Sequence, residues 1–216
     1  MKAFIFDMDG VIIDSEPLHT AMKIKTFRHF GLRLTEQECL EYMGRTTKFM
    51  FRHFIEKYDR SISLAEMVHY KHQIYLEALY NDGGIRPIAG TMELLRELKA
   101  KNIPAAIGSS SGRQVIDAVV EKFQLQPYFQ SILSGADLPQ SKPDPAIYLL
   151  SAQRLGARPE DSIVIEDAAA GIQAAKAAGM YCIAYRNPSS GRQDLSQADR
   201  IVESIKDIVV EDFLPK

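Results

Sequence analysis

Two aspartates stand one residue apart directly after the first apolar segment, in the run Phe6-Asp7-Met8-Asp9-Gly10-Val11. Residues i and i+2 of an extended segment point to the same side, so a strand over 3–6 would deliver both carboxylates to its carboxyl end. Two carboxylates at such a short distance repel each other unless a cation or a shared proton offsets their charge. The pair therefore predicts a metal or proton-transfer site, or else a strand that ends in a polar turn of the kind also found in calcium loops.

Further polar side chains follow two other predicted strands and occupy a loop between them. Ser109-Ser110-Ser111-Gly112 follows a strand over 105–108, and Glu166-Asp167 follows a strand over 163–165, with Ser141-Lys142-Pro143-Asp144-Pro145 between them. Ligands of open parallel sheets bind beyond the carboxyl ends of the strands, so these side chains are expected in one crevice. Taken singly, each cluster is also explained by a loop, a solvated lysine or an acidic helix start, and their common placement is what favours a site.

This set of side chains suits phosphoryl transfer. Asp7 would attack phosphorus and form an aspartyl phosphate, while Asp9 would protonate the leaving oxygen and later accept a proton from water. Ser109, Lys142 and the N–H groups of the serine-rich turn would hold the phosphoryl oxygens. Stabilising charge on the transferring group would supply most of the rate enhancement.

The carboxylates also suit a hard divalent cation. Mg²⁺ fits best because it binds few carboxylates together with phosphate oxygens and water. Asp167, with Glu166, would complete such a site beside Asp7. The cation would offset the repulsion between the attacking carboxylate and the phosphate.

Composition excludes several other classes of function. The chain has 216 residues, 46% of them hydrophobic, and 26 basic against 28 acidic residues give a formal charge of −2. Because no basic excess or basic tract is present, no nucleic acid is expected as a partner. No apolar run approaches about 18 residues, and Asp7 comes too early for a signal peptide, so no membrane is expected either. Cys39 and Cys182 indicate no disulfide framework and fit a reducing compartment. We expect a cytoplasmic monomer.

Residues 15–81 are predicted to contain helices and no strand. The signals are a helix start at Ser15-Glu16-Pro17, a helix end at Phe30-Gly31, and capping boxes at Thr35–Glu38 and Ser63–Glu66. Phe49, Phe51 and Phe54 are expected in the apolar core of this helical block. Asp82-Gly83-Gly84 is predicted to link it to the rest of the chain.

Beyond this linker, helical and strand patterns alternate. The predicted strands are 104–109, 131–134, 162–166, 180–185 and 200–202, and the predicted helices are 91–101, 112–123, 145–155 and 168–178. Such alternation indicates an α/β fold, in which helices cover both faces of a parallel sheet. Because the first strand precedes the helical block, the block is interpreted as an insertion into the α/β domain.

Four ordered segments resemble the motifs of the haloacid dehalogenase-like hydrolase superfamily. They are Phe6–Val11, Ser109, Lys142-Pro143-Asp144-Pro145 and Ile165–Ile172, and the resemblance covers essentially the whole chain. The run Val11–His19 is typical of the branch that holds β-phosphoglucomutases and sugar-phosphate phosphatases. The resemblance implies a Rossmann-like core domain over 1–13 and 85–216, with an all-helical cap domain over 14–84.

The resemblance also implies a role for each motif residue. Asp7 is the nucleophile and Asp9 the acid/base, and Ser109 and Lys142 contact the transferring phosphoryl group. Mg²⁺ is held by Asp7, the backbone carbonyl of Asp9, Asp167 and, as an extra ligand, Glu166. A dehalogenase is disfavoured, because Asp9 and the metal carboxylates have no role in halide displacement.

The choice between phosphatase and mutase depends on the cap. The β-phosphoglucomutase pattern has a cap arginine where this chain has Thr47, and a Lys-Asn pair where it has Gly112-Arg113. His19 and Lys71, by contrast, match cap positions that the mutase uses. The substrate-binding residues implied are Gly10, His19, Arg45, Thr47, Lys48, Lys71, Ser110, Ser111 and Arg113.

These observations predict a magnesium-dependent phosphatase of a small phosphorylated metabolite, foremost a sugar phosphate. A β-phosphoglucomutase-type mutase is the first alternative. A module that binds a phosphorylated metabolite without turnover is the second, although such a module would not need Asp9 as an acid/base.

Overall fold

The computed structural model describes residues 2–41, 47–58, 61–81 and 84–214. The chain forms two compact units. The first comprises Met1–Asp14 and Arg86–Lys216, and the second comprises Ser15–Ile85. Two sequence-based predictions, the substrate-binding role of Arg45 and the linker at Asp82-Gly83, lie outside the described residues.

The element bounds follow the sequence pattern closely. The strands are β1 (Ala3–Phe6), β2 (Ala105–Ser109), β3 (Ser131–Ser134), β4 (Ser162–Glu166), β5 (Tyr181–Tyr185) and β6 (Arg200–Val202). The α-helices are α1 (Glu16–His29), α2 (Glu36–Glu41), α3 (Thr47–Lys57), α4 (Leu64–Tyr80), α5 (Thr91–Ala100), α6 (Arg113–Lys122), α7 (Ala146–Arg154) and α8 (Ala169–Ala177).

The first unit is built on a six-stranded parallel sheet in the order β3-β2-β1-β4-β5-β6. Phe6, the last residue of β1, is in register with Ile107 of β2 and Ile165 of β4. The carboxyl ends of these three strands therefore adjoin at one edge of the sheet. The predicted α/β class with a parallel, Rossmann-like sheet is confirmed.

Strand β1 is apolar throughout because its side chains point alternately to the two faces of the sheet and both faces are covered. Ala3 and Ile5 belong to a buried cluster that also holds side chains of α7 and α8. Phe4 and Phe6 point to the opposite face, where their rings make edge contacts with Phe213 and Phe129. Both faces are covered, as is usual for a parallel sheet, so only the strand ends can present polar groups.

The second unit contains α1 to α4, and the starts of α2 and α4 show predicted capping bonds, whereas Ser15 before α1 makes no side-chain capping bond. The backbone N–H of Glu38 donates to Thr35 Oγ1 at 3.2 Å while that of Thr35 donates to Glu38 Oε2 at 2.9 Å. Ser63 Oγ accepts from the backbone N–H of Glu66 at 3.3 Å. These bonds satisfy backbone donors that the first turn of a helix leaves without a partner.

The apolar core of this helical unit includes Phe51 and Phe54, as predicted, but not Phe49. Phe51 and Phe54 are buried among Phe27, Met50 and other apolar side chains, whereas 50% of Phe49 is exposed. Positions three apart share a helix face, while positions two apart point about 200° away from each other. The expectation for Phe49 was wrong for that reason.

None of the helices in the described residues combines the length and the apolar character needed to cross a bilayer.

Candidate active site

The carboxyl end of β1 continues directly into the first candidate residue. The backbone N–H of Asp7 donates to the carbonyl of Ile165 at 3.0 Å, which extends the pairing of β1 with β4 beyond Phe6. Glu166 and Asp167 end the neighbouring strand, so three carboxyl-bearing residues meet at adjoining strand ends. Asp7, Glu166 and Asp167 are each at most 7% exposed.

Asp7 forms a buried ion pair with Lys142. Lys142 Nζ donates to Asp7 Oδ1 at 2.6 Å. Burial raises the pKa of Asp7 to about 7; the ammonium of Lys142 lowers it, and the carboxylates of Glu166 and Asp9 raise it. An aspartate at this position therefore accepts a proton far more readily than an exposed one, unless further positive charge is supplied.

Lys142 is held by two carboxylates at once, since its Nζ also donates to Glu166 Oε1 at 2.7 Å. Burial alone would lower the pKa of Lys142, but the facing carboxylates of Asp7 and Glu166 raise it above its ordinary value. The side chain thus stays an ammonium across the physiological pH range. Its Nζ also lies 4.9 Å from the centroid of the Tyr148 ring, within the range of a cation–π contact.

Glu166 is 1% exposed and accepts four hydrogen bonds. Its Oε1 accepts from Lys142 Nζ and, at 2.6 Å, from the hydroxyl of Tyr148. Its Oε2 accepts from the backbone N–H groups of Asp167 at 2.9 Å and Ala168 at 3.1 Å. A carboxylate offers about four lone-pair positions, so the protein's own donors occupy them all.

Two glycines make room for the carboxylates. A Cβ on Gly171 would lie 1.6 Å from Glu166 Oε1, and a Cβ on Gly10 would lie 2.0 Å from Asp167 Oδ2. Gly10 also has a φ of +85°, which other residues rarely adopt. Any other residue at either position would displace a site carboxylate.

Asp167 differs from Glu166 in its hydrogen bonding. Its Oδ2 accepts from the hydroxyl of Ser190. Burial raises the pKa of Asp167 well above its usual range; the charges of Glu166 and Asp7 add to that effect, and the Ser190 hydrogen bond opposes it. Within the described residues, Asp167 Oδ1 accepts no hydrogen bond.

The cluster has the chemistry of a divalent-cation site. Asp7, Glu166 and Asp167 each offer a carboxylate oxygen, and these oxygens lie within 4.8 Å of one another. Three buried carboxylates face the single ammonium of Lys142, so an excess of negative charge stays uncompensated. Hard oxygen donors fit Mg²⁺, and burial together with the neighbouring carboxylates raises the pKa of both Asp7 and Asp167.

The Asp9 carboxylate contacts the serine-rich turn, although its charge also raises the pKa of Asp7. Ser111 Oγ donates to Asp9 Oδ2 at 2.6 Å, and Ser109 Oγ lies 3.5 Å from the same oxygen. The turn itself is held by the Ser111 N–H, which donates to Ser109 Oγ at 3.0 Å, and by Ser134 Oγ, which donates to the Ser111 carbonyl at 2.8 Å. The two aspartates of the first motif therefore occupy different environments.

Two of the predicted substrate-binding residues of the sheet unit, Arg113 and Ser110, are exposed. Arg113 donates to the carbonyl of Ile132 at 3.2 Å and lies within 4 Å of the carboxylates of Asp117 and Asp137. Among the hydrogen bonds and ion pairs of the described residues, none joins Arg113 to the buried carboxylates.

Two of the predicted substrate-binding residues of the helical unit, His19 and Lys71, contact each other. Lys71 Nζ lies 2.8 Å from His19 Nδ1, the His19 ring stacks on Tyr75 at 4.3 Å, and Lys71 Nζ lies 4.8 Å from the Tyr75 centroid. Thr47, the first residue of α3, is partly buried, and Lys48 beside it is exposed. Their part in substrate binding stays a prediction.

The sequence-based search missed two groups of residues that the structure brings to the site. One is Tyr148, whose hydroxyl bonds Glu166. The other is the segment after β5, where Asn187 Nδ2 donates to the Gly10 carbonyl at 3.0 Å and Ser190 bonds Asp167. A signal for the second was present: Asn187 follows the carboxyl end of a parallel strand, the criterion that identified the other clusters.

Comparisons with known proteins agree with this geometry. The profile of the haloacid dehalogenase-like hydrolases matches residues 4–185. A phosphorylated carbohydrates phosphatase of Thermotoga maritima is 33% identical over 184 residues, 83% of this chain and 82% of that protein. Hexitol phosphatase A of Escherichia coli is 31% identical over 210 residues, 97% of this chain and 94% of that protein. The crystal structure of a β-phosphoglucomutase from Clostridium difficile superposes with a TM-score of 0.79 at 27% identity, covering 98% of this chain and 95% of that one.

Proposed function

Since the chain belongs to the family of haloacid dehalogenase-like hydrolases, we propose that it is a Mg²⁺-dependent phosphatase of a small phosphorylated metabolite, foremost a sugar phosphate. The observation that carries this proposal is the placement of the Asp7 and Asp167 carboxylates at adjoining strand ends, with Lys142 of the loop before α7 bonded to Asp7. The phosphatases of carbohydrates and hexitols among its relatives support the substrate class.

In the proposed reaction, Asp7 attacks phosphorus and forms an aspartyl phosphate while the bond to the leaving oxygen breaks. Lys142, which already contacts Asp7 Oδ1, would place its positive charge beside the phosphoryl oxygens where negative charge builds up. Bound Mg²⁺ would supply the remaining positive charge and favour the ionised forms of the buried carboxylates.

Asp9 is the proposed acid/base. As a carboxylic acid it gives its proton to the leaving alcohol, and as a carboxylate it then takes a proton from the water that attacks the aspartyl phosphate. That second step releases inorganic phosphate and restores Asp7. The hydrogen bond from Ser111 would orient Asp9 Oδ2 for both transfers.

The residues proposed to hold Mg²⁺ are Asp7, Asp167 and the backbone carbonyl of Asp9. Glu166 is proposed to orient Lys142 and the start of α8 rather than to bind the cation directly, because four protein donors already occupy its oxygens. This assignment narrows the ligand set that the family resemblance implied.

The test is release of inorganic phosphate from a panel of phosphorylated sugars with Mg²⁺ and with a chelator. We expect multiple turnover with Mg²⁺, none with the chelator, and none in Asp7→Asn under either condition. A metal-dependent conversion of β-glucose 1-phosphate to glucose 6-phosphate without phosphate release would support a mutase instead. Binding of sugar phosphates without any turnover would support a binding module.

The mutase is the second candidate, and the likeness to β-phosphoglucomutase favours it. Against it stand Thr47 and Gly112-Arg113, which replace residues of the mutase pattern. The position of Arg113 on the Ile132 carbonyl adds to this argument, because its guanidinium is engaged away from the buried carboxylates. A phosphatase needs no second phosphate-binding group of this kind.

A further inference from the structure

The segment after β5 makes side-chain hydrogen bonds to the first and fourth motifs at once. In residues 187–193, which we name the Asn187 loop, Asn187 Nδ2 donates to the Gly10 carbonyl at 3.0 Å. Ser190 Oγ donates to Asp167 Oδ2, and Gln193 Oε1 accepts from the backbone N–H of Ala169 at 3.2 Å. The Asn187 loop carries no candidate catalytic group, yet it is hydrogen-bonded to the turn at Gly10 and to the segment that holds Asp167.

The Asn187 loop is itself held in place by the other ends of the same side chains. Asn187 Oδ1 accepts from the backbone N–H of Ser189 at 2.8 Å, and Gln193 Nε2 donates to the Ser190 carbonyl at 3.1 Å. Asn187 is 6% exposed, so its amide is fixed by burial as well. The position of the Ser190 hydroxyl is therefore determined by the loop and not by a freely rotating side chain alone.

The two oxygens of Asp167 are consequently distinct. Oδ2 accepts from Ser190 and lies against the backbone of Gly10, where a Cβ would come within 2.0 Å. Oδ1 accepts no hydrogen bond within the described residues. The carboxylate thus has one oxygen committed to the protein and one left to accept a ligand.

We propose that the Asn187 loop positions the Mg²⁺ site: Ser190 fixes the Asp167 carboxylate so that Oδ1 is presented to the cation, and Asn187 holds the turn at Gly10 that follows the Asp9 carbonyl. This inference rests on the proposed function, since it assigns a role toward the cation that the phosphatase requires. Ser190 and Asn187 are positioning residues, because they act through Asp167 and Gly10. Outer hydrogen bonds of this kind typically account for about 10- to 100-fold in metal affinity.

The variant that tests this role is Ser190→Ala, and the chain offers a matched control one residue away. Ser189 has the same partial exposure, and its hydroxyl donates to a different carboxylate, Asp14 Oδ2, at 2.8 Å. Ser189→Ala therefore removes an equivalent hydrogen bond from the same loop without touching Asp167. Ser190→Thr keeps the hydroxyl and serves as the rescue variant.

Binding of Mg²⁺ to each full-length protein would be measured by isothermal titration calorimetry, without substrate, alongside thermal unfolding in chelator. We expect Ser190→Ala to weaken Mg²⁺ binding at least tenfold, Ser189→Ala to change it less than twofold, and Ser190→Thr to restore most of the affinity. In steady-state assays, Ser190→Ala should need at least tenfold more Mg²⁺ for half-maximal rate, with the KM for the sugar phosphate unchanged at saturating Mg²⁺.

Three results would overturn the inference while leaving the proposed phosphatase intact. They are unchanged Mg²⁺ affinity in Ser190→Ala, an equal loss in Ser189→Ala and Ser190→Ala, and a Ser190→Thr protein that folds but does not regain affinity. A wild-type protein that neither binds Mg²⁺ nor releases phosphate in its presence would overturn the proposed function and this inference together.

Discussion

The carboxylate cluster of the sheet unit and the candidate binding residues of the helical unit are built in different ways. Asp7, Lys142 and Glu166 are buried, and short hydrogen bonds hold their charged groups. In the helical unit, Lys48 is exposed and the Lys71–His19 pair is only partly buried.

This difference corresponds to two different requirements. Transition-state stabilisation needs charges whose positions are set before the substrate arrives, and the buried side chains of the proposed site in the sheet unit would provide them. Recognition of one metabolite among many depends on a few adaptable side chains. The reaction type is therefore encoded more strongly than the substrate.

The largest effect on activity is expected at Asp7. Asp7→Asn removes the nucleophile while keeping the size of the side chain, so we expect kcat for phosphate release to fall by about 10⁴-fold or more. Lys48→Ala, in the helical unit, is the contrasting variant and should leave kcat within about threefold. Phosphate release under single-turnover and steady-state conditions measures both. An Asp7→Asn protein within tenfold of wild type would show that the cluster is not the reaction centre.

Packing, and not charge, should control the stability of the helical unit. Phe54→Ala empties a buried position, and we expect it to lower the free energy of unfolding by about 3–5 kcal/mol. Phe49→Ala changes an exposed side chain of the same helix and should change it by less than about 0.5 kcal/mol. Urea unfolding followed by circular dichroism compares the two. Equal losses would contradict the placement of α3.

Mg²⁺ binding by the carboxylate cluster of the sheet unit should depend on pH, because the carboxyl groups must be ionised to bind the cation. The pKa of Asp7, raised to about 7 from 3.8, means that below pH 7 a proton competes with the cation. We therefore expect Mg²⁺ affinity to fall by about tenfold or more per pH unit below 7, since Asp167, whose pKa is also raised, can bind a second competing proton. Calorimetry in two buffers of different ionisation enthalpy would detect the released proton. A pH-independent affinity between pH 5 and 7 would contradict this assignment.

The same raised pKa predicts the pH dependence of stability without metal. A carboxyl group whose pKa is higher in the folded than in the unfolded protein stabilises the fold at low pH and loses that contribution as the pH rises. In chelator, this contribution of Asp7 should decline between about pH 4 and pH 7, the window between its two pKa values. The rise in Tm that Mg²⁺ produces should grow across the same window.

The smallest effect is expected at the half-exposed pair of the helical unit. If Lys71 contacts the substrate, Lys71→Ala should raise the KM for a sugar phosphate by about three- to tenfold and leave kcat nearly unchanged, since a partly exposed charge contributes modestly to binding. A comparison over several sugar phosphates would show whether the effect depends on the sugar. A large fall in kcat with unchanged KM would place Lys71 in the chemistry instead.

Much of the fold could be predicted because its signals are local. The bounds of β1, β3, β4 and β6 agree with the sequence pattern residue by residue, since apolar runs and turn residues mark them. The capping box at Thr35 is equally local, because both partners lie within one helical turn. The prediction for Phe49 was wrong because three phenylalanines close in sequence were expected in one core. A helix cannot direct all three side chains to one face.

The site was predictable where motifs follow strand ends, and less so where distant segments meet. The strand-end pattern and the family resemblance together predicted the core site residues, which are Asp7, Asp9, Ser109, Lys142, Glu166 and Asp167. Asn187, however, meets Gly10 across 177 positions of sequence, and no periodicity or propensity connects two such residues. Tyr148 looked like one more apolar residue of α7, and its hydroxyl became relevant through the buried oxygen of Glu166.

The order of elements, the α/β class and the candidate catalytic side chains could be predicted from the sequence alone, because alternation, caps and ordered motifs are properties of the chain. The different environments of the carboxylates, by contrast, depend on tertiary contacts. Burial and hydrogen bonding differ among Asp7, Glu166 and Asp167 although all three are acids at strand ends. Those differences arise from Lys142, Tyr148 and the Asn187 loop, whose side chains reach the site once the strands and helices have packed together.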